Sequence, residues 1–225
     1  MKPLRAILFD FDGTLLNTID MILQSFHQVL SEYDLTATDE AIKATIGLTM
    51  KDALKRLLGE RYDLCDAFIE RYRVFQKTIA LETCALYPPV EAMLQSLSEK
   101  EDLPLALVTS RARESYEELA RHFGLADFFD VSVCGGEAKA DKPSGAPLLL
   151  ALAKINALRQ AKGQDQVDAK DCLYVGDTEH DVLAAKDAGM HAALVTWSMY
   201  ADQAQLLENV DLRLSSGQQI LNLLD

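Results

Sequence analysis

The chain has 225 residues, enough for one large domain or for a core with a smaller companion. Apolar residues make up 49% and charged residues 25%, an ordinary globular composition that excludes a disordered, collagen-like or disulfide-scaffold chain. Lys plus Arg number 22 against 35 Asp plus Glu, a formal net charge of −13, and such a surface makes nucleic acid and anionic membranes poor partners.

Met1 to Phe9 offers only a short apolar run before Asp10, without a secretory core or cleavage site, and the longest uncharged stretch, Ala188 to Ala201, is too short to span a bilayer. The four cysteines, Cys65, Cys84, Cys134 and Cys172, lie far apart with no zinc-type spacing, which suits free thiols in a reducing compartment. The expectation is a soluble cytoplasmic protein.

Short β-branched apolar runs predict buried parallel strands over Arg5–Asp10, Leu103–Thr109, Val131–Cys134, Cys172–Asp177 and Ala192–Thr196. Helical spacing follows or separates them at Val90–Glu99, Arg113–His122, Ala146–Leu158 and Glu179–Ala188. Strand alternating with helix predicts an α/β fold, a doubly wound parallel Rossmann-like sheet. Between the first two strands, Ile19–Ser31, Asp39–Thr45, Met50–Leu58 and Cys65–Leu81 carry helical patterns without a strong strand, so a helical insertion is expected there. The division is residues 1–15 and 84–225 for the sheet domain and 16–83 for the insertion, a candidate lid. Pro88-Pro89 marks the return to the sheet, and the polar stretch Gln160–Lys170 is expected to be a surface loop.

Polar residues end or follow four of the strand runs, and in open α/β sheets ligands bind outside the carboxyl ends of strands. In Asp10-Phe11-Asp12-Gly13-Thr14 the two carboxylates lie two residues apart on an extended chain, so both can reach one site while Phe11 packs away from it. Such a pair suits metal-assisted chemistry in which one carboxylate attacks and the other carries a proton. Thr109 and Ser110 offer donors for phosphoryl oxygens, or simply an N-cap for the next helix. Arg111 is within reach of an anionic leaving group, although arginines at such positions are more often solvated. Lys142, before Pro143, can neutralise the carboxylates and orient the nucleophile. In Gly176-Asp177-Thr178-Glu179-His180-Asp181, Asp177 ends a strand and Asp181 lies one helical turn later. The first can face a cation directly and the second through water, while Thr178 and Asp181 also have capping-box spacing.

The ordered set Asp10-Phe11-Asp12-Gly13-Thr14, Thr109-Ser110, Lys142-Pro143 and Gly176-Asp177 with Asp181 resembles the haloacid dehalogenase superfamily over nearly the whole chain. The helical insertion is similar to the C1 cap of its phosphoglycolate phosphatase and β-phosphoglucomutase-like branch. The resemblance implies Asp10 as the nucleophile that becomes an aspartyl phosphate, and Asp12 as the group that protonates the leaving group and then activates water. It implies Thr109 and the Ser110 backbone on the phosphoryl group, and Lys142 paired with Asp10. It also implies Mg²⁺ held by the Asp10 carboxylate, the Asp12 carbonyl and Asp177, with Asp181 behind. Pro89, Asn17 and Ser144-Gly145-Ala146 depart from the usual pattern of the branch at positions outside this chemistry.

The function so implied is a Mg²⁺-dependent phosphatase acting on a small phosphorylated metabolite; the runner-up is a phosphosugar mutase using the same intermediate. Dehalogenation needs no metal and generally lacks a second carboxylate like Asp12, and no insertion lysine has a case as a phosphonatase Schiff base. A non-catalytic phosphate-binding protein would not need Asp12. For the substrate contact, Thr45–Lys51 is the candidate loop, with Gly47 giving a tight bend and Lys51 a positive charge; an ordinary helix connection is the alternative.

Overall fold

The computed structural model describes residues 3–46, 48–198 and 209–224. In chain order the elements begin with β1 (Ala6–Phe9), β2 (Leu16–Asn17), α1 (Ile19–Glu32), α2 (Asp39–Lys43), α3 (Met50–Leu58), α4 (Cys65–Thr83) and β3 (Ala85–Leu86). They continue with α5 (Val90–Ser98), β4 (Leu105–Val108), α6 (Arg113–His122), β5 (Val131–Val133) and α7 (Ala146–Ala161). The last are β6 (Cys172–Gly176), α8 (Glu179–Asp187), β7 (His191–Val195), β8 (Leu212–Leu214) and α9 (Gly217–Leu221).

Six strands pair in parallel in the order β5-β4-β1-β6-β7-β8. Chain progress runs outward from β1 to one side through β4 and β5, then returns across to β6 on the other side. That reversal at β1 opens a crevice at the carboxyl ends of β1, β4 and β6, where Asp10, Thr109 and Asp177 follow their strands.

Successive strand residues serve opposite faces. Ile7 and Phe9 of β1 join Leu105, Leu107, Leu173 and Val175 in the core under α5, α6 and α9, together with residues of α1, α3 and α4. Ala6 and Leu8 join Ala106, Val108, Cys172 and Tyr174 under α7 and α8. The apolar runs are continuous because both faces are covered, and burying each large side chain stabilises the sheet by roughly 1.5–3 kcal/mol.

All five predicted strands and all eight predicted helices form. β8 was not legible: it is three residues long with Arg213 at its centre, and it is held as a parallel edge by Asp211 N donating to the Ala192 carbonyl (3.1 Å). The insertion is flanked by a two-stranded antiparallel ribbon, Leu16 opposite Leu86 and Asn17 opposite Ala85, too short to leave a strand pattern.

The stretch Gln160–Lys170 is a surface segment as expected, except that its first two residues belong to the preceding helix and Val167 is buried. α7 continues to Ala161 and ends where Gly163 adopts φ +69°, with Gly163 N donating to the Gln160 carbonyl and Gln164 N to the Arg159 carbonyl, the paired bonds of a Schellman terminus. The following residues are pinned by Asn156, which exchanges two hydrogen bonds with Val167, and Val167 itself is buried. Among the described residues no helix is long and apolar enough to cross a membrane.

Candidate active site

Asp10 continues the β1 ladder, its N–H donating to the Val175 carbonyl (2.9 Å), and its carboxylate is buried at the strand end. Phe11 turns away and packs edge-on against Tyr116, with ring centroids 5.4 Å apart. Asp12 then comes back toward the crevice, as the two-residue spacing predicts. The chain reverses at Gly13, whose φ of +80° suits glycine, and whose N–H donates to the Leu16 carbonyl (2.9 Å). A Cβ at this position would also run into the Asp177 carboxylate, so the β1 loop and the β6 end can meet only through a glycine.

Lys142 reaches the bottom of the crevice with its side chain 2% exposed. Its three N–H groups find three acceptors: Asp10 Oδ1 (2.8 Å), Asp181 Oδ1 (2.7 Å) and Tyr174 Oη (3.1 Å). Tyr174 sits on β6 with its hydroxyl 3.0 Å from the Val108 carbonyl, to which it can donate, so it ties the ammonium to the end of β4. Nothing in the sequence marks Tyr174, because a tyrosine inside an apolar run reads as core.

Asp181 is fully engaged. Its Oδ2 accepts from Thr178 Oγ1 (2.6 Å), Thr178 N (3.0 Å) and Asp177 N (3.3 Å), and the expected capping box of α8 is present. Burial would raise the Asp181 pKa, but Lys142 and the Thr178 donors hold it below the usual carboxylate value. Asp10 goes the other way: burial, against the pull of Lys142 and with the push of Asp181, lifts it to about 7. Burial, followed by the charges of Asp181 and Asp10, pushes Asp177 well above its usual value. Burial opposes the charged form of Lys142 as well, yet Asp10 and Asp181 keep it strongly protonated.

Oxygens of Asp10, Asp177 and Asp181 lie within 4.8 Å of one another. With all three ionised, the single Lys142 charge leaves a formal excess of two negatives in a buried site. Asp177 Oδ2 accepts from Ser198 Oγ (2.6 Å), whereas its Oδ1 is buried and has no hydrogen-bond partner among the described residues. An all-oxygen donor set with an orphaned carboxylate oxygen and this charge deficit fits a hard divalent cation such as Mg²⁺. Both Asp181 oxygens already accept hydrogen bonds, whereas Asp177 Oδ1 has none among the described residues.

Asp12 lies nearer the solvent side, its side chain 18% exposed. Arg111 forks onto it, Nε to Oδ2 (3.0 Å) and Nη2 to Oδ1 (2.5 Å), and Thr18 Oγ1 donates to Oδ1 (2.7 Å). The sequence puts Arg111 within reach of an anionic leaving group; the structure places its guanidinium on Asp12, with Ser115 and Gln76 behind it. The N-cap alternative for Thr109 and Ser110 is corrected. α6 begins after Ala112, and Thr109 Oγ1 instead accepts from Arg111 N (3.1 Å), a tight turn at the end of β4.

A cavity of about 360 Å³ opens over Asp10 and Asp12, lined also by Thr109, Ser110, Lys142, Thr45, Thr49, Lys51 and the apolar Ile22, Phe26 and Met50. Lys51 thus faces the same space as the carboxylates, and Gly47 lies outside the described residues. Arg73 and Gln76 of α4 complete one wall.

A doubly wound parallel sheet with carboxylates, a buried ammonium and an open cavity at its switch point defines the active site of an α/β enzyme. The haloacid dehalogenase-like hydrolase family model matches residues 7–195, and the chain belongs to that family. Among curated proteins it is 31% identical over 222 residues to pyrophosphatase PpaX of Anoxybacillus flavithermus, covering 98% of this chain and 97% of that protein. It is 32% identical to the probable phosphatase IndB of Dickeya dadantii, over 92% of this chain and 87% of the relative. Among solved structures, a Lactobacillus plantarum protein provisionally assigned as a phosphoglycolate phosphatase superposes with a TM-score of 0.83 at 24% identity, covering 98% of this chain and 99% of the other.

Proposed function

We propose that this phosphatase hydrolyses a small phosphomonoester or related phosphorylated metabolite, with Mg²⁺ as its cofactor and an aspartyl phosphate at Asp10 as intermediate. The observation that carries the reading is the convergence on one cavity of a Lys142-paired Asp10 and a separate, less buried carboxylate, Asp12. One group can attack phosphorus while the other serves the leaving oxygen.

Asp10 Oδ attacks the phosphoryl group, the ester P–O bond breaks, and Asp12 gives its proton to the departing alkoxide. Asp12 then takes a proton from water, which attacks the acyl phosphate; inorganic phosphate leaves and Asp10 is regenerated. Lys142, Thr109 and the Ser110 backbone neutralise and hold phosphoryl oxygens, because phosphoryl transfer asks for positioning and charge compensation above all. Asp10, the Asp12 carbonyl and Asp177 would hold the Mg²⁺, with Asp181 orienting them, and the bound cation supplies charge stabilisation to the phosphoryl oxygens.

The reading includes residues 16–83 as a cap over a core of residues 1–15 and 84–225, with Lys51 and the neighbouring Gly47 contacting the substrate. A cavity of about 360 Å³ suits a small-molecule partner such as a metabolite, and the net charge of −13 is what argues against nucleic acid and anionic membranes. The described cysteines are buried free thiols, in keeping with a reducing cytoplasm.

The test is phosphate release from a panel of phosphorylated metabolites, with inorganic pyrophosphate included because of the PpaX relatives, in Mg²⁺ and in EDTA. Metal-dependent release that disappears in folded Asp10→Asn protein is the expected result. Ester that is isomerised without release would replace hydrolysis by mutase chemistry, and an inert panel with tight phosphate binding would overturn catalysis altogether.

A further inference from the structure

Among the described residues that line the cavity, Arg111 is an arginine whose guanidinium is already occupied. Its Nε and Nη2 grip both Asp12 oxygens (3.0 and 2.5 Å), and its Nη1 donates to Ser115 Oγ at the start of α6 (2.8 Å) and to Gln76 Oε1 of α4 (3.5 Å). Four of its five N–H groups are therefore engaged, and the side chain is only 8% exposed. Gln76 is fixed in turn by donating to Tyr72 Oη (2.8 Å). A guanidinium so saturated has little left for a substrate anion, whereas a bidentate fork defines the plane and direction of the carboxylate it holds. Among the described residues, the other side chain that fixes Asp12 is Thr18, on one oxygen.

We propose that Arg111 is a positioning residue: it aims the Asp12 carboxylate at the leaving-group oxygen and is itself braced by Ser115 and Gln76, so that an arginine from the β4–α6 turn sets the efficiency of proton transfer at the β1 loop. The inference rests on the reading of Asp12 as the proton carrier. Misplacement by about 1 Å costs a catalytic group much of its effect, and a positioned general acid contributes typically 10²–10⁴-fold.

The experiment measures kcat/KM, which reports the chemistry up to departure of the leaving group, for phosphate monoesters running from p-nitrophenyl to simple alkyl phosphates. Wild type, Arg111→Met, Arg111→Lys, Ser115→Ala, Asp12→Asn and the double variant Asp12→Asn/Arg111→Met are compared in saturating Mg²⁺, with the Ki for inorganic phosphate as the binding control. Arg111→Met is expected to lose about 10–100-fold on alkyl esters and less than about 3-fold on p-nitrophenyl phosphate, whose leaving group departs without a proton. Ser115→Ala should show the same pattern at about 2–5-fold, Arg111→Lys should fall between, and the double variant should be no worse than Asp12→Asn. The Ki for phosphate should stay within about 3-fold. Ser115→Ala removes a single brace and keeps the test decisive even if Arg111→Met folds poorly.

Equal losses on both ester classes, a Ki that rises in step with the loss, or additive losses in the double variant would overturn the positioning role, and the rising Ki would make Arg111 a substrate contact instead. If Asp12→Asn itself loses equally on both classes, the proton-carrier reading of Asp12 falls and takes this inference with it. If Asp12→Asn is leaving-group dependent and Arg111→Met and Ser115→Ala are not, only the inference falls.

Discussion

Replacing Lys142 with Met removes the only cation that touches Asp10 and Asp181 among the described residues, while keeping side-chain volume. Its ammonium lies 2.8 and 2.7 Å from one oxygen of each, and the side chains of the three residues are 2%, 8% and 2% exposed. At an effective dielectric constant near 20 each contact is worth about 6 kcal/mol of attraction, set against several kcal/mol of desolvation per ion, so little of the sum is net stability. Truncation is another matter, since it strands two buried carboxylates, and breaking such a cluster typically costs about 3–5 kcal/mol. For a chain of this size that is a fall in Tm of roughly 6–20 °C. Urea unfolding in EDTA at pH 7.5 reads the loss directly. Asp10→Asn/Lys142→Met should recover at least about 1 kcal/mol of it, because the amide needs no counter-charge. A single variant within about 1 kcal/mol of wild type, or a double variant that simply adds two losses, would refute the view that Lys142 is held by charge compensation.

Raised Asp10 makes metal-free protein bind a proton more tightly folded than unfolded, so this stability is present at low pH and lost as pH rises through about 7. Between pH 8 and 6.5, EDTA-treated protein should gain about 0.8 kcal/mol relative to protein in saturating Mg²⁺, more with the like-signed shift of Asp177, read as a Tm difference of about 2 °C or more. Absence of that difference by calorimetry would remove Asp10 from the proton and metal linkage. Gly13→Ala should abolish activity and destabilise the fold, since it combines positive φ with a collision against Asp177, whereas Gly163→Ala, also at positive φ but with open space around it, should cost about 1–2 kcal/mol and leave kcat unchanged. Comparable activity loss in both would show that the Asp177 contact does not matter. Tyr174→Phe should cost about 1–3 kcal/mol in urea unfolding, as one Lys142 N–H and the Val108 carbonyl lose a partner, and should lower kcat; an unchanged kcat would mean that two carboxylates alone orient the ammonium.

The sheet was legible in the sequence because strands buried on both faces leave uninterrupted apolar runs, and the charged residues ending those runs stand out against them. Asp10 and Asp177 stand out this way, Asp12 and Asp181 by their spacing from them, and Lys142 by the resemblance of the ordered motifs to a family; all five are gathered at one crevice. What escaped has a common cause: Tyr174 and Ser198 act through single hydroxyls inside apolar or irregular segments, and Arg111, although singled out, pairs with a carboxylate 99 positions away. Spacing along the chain carries no record of such pairings. β8 and the β2–β3 ribbon are too short for periodicity to register, and α7 outran its apolar pattern because its stop signal is the left-handed Gly163 rather than the first polar residue.

The contact of Gly13 with Asp177 ties the site to the completion of the sheet. Only a hydrogen atom on Gly13 stands between the β1 loop and the carboxylate beyond β6, and β1 and β6 are joined by four register pairs from Ala6 opposite Cys172 to Phe9 opposite Val175. A slip of one residue would turn every side chain of β1 to the other face and separate Asp10 from Lys142 and Asp177 together. A partly assembled chain, with β1 paired to β4 and β6 still free, therefore has none of the site rather than a weakened form of it. Turnover is a direct report that the two halves of the sheet, nearly 170 residues apart in sequence, have closed in register.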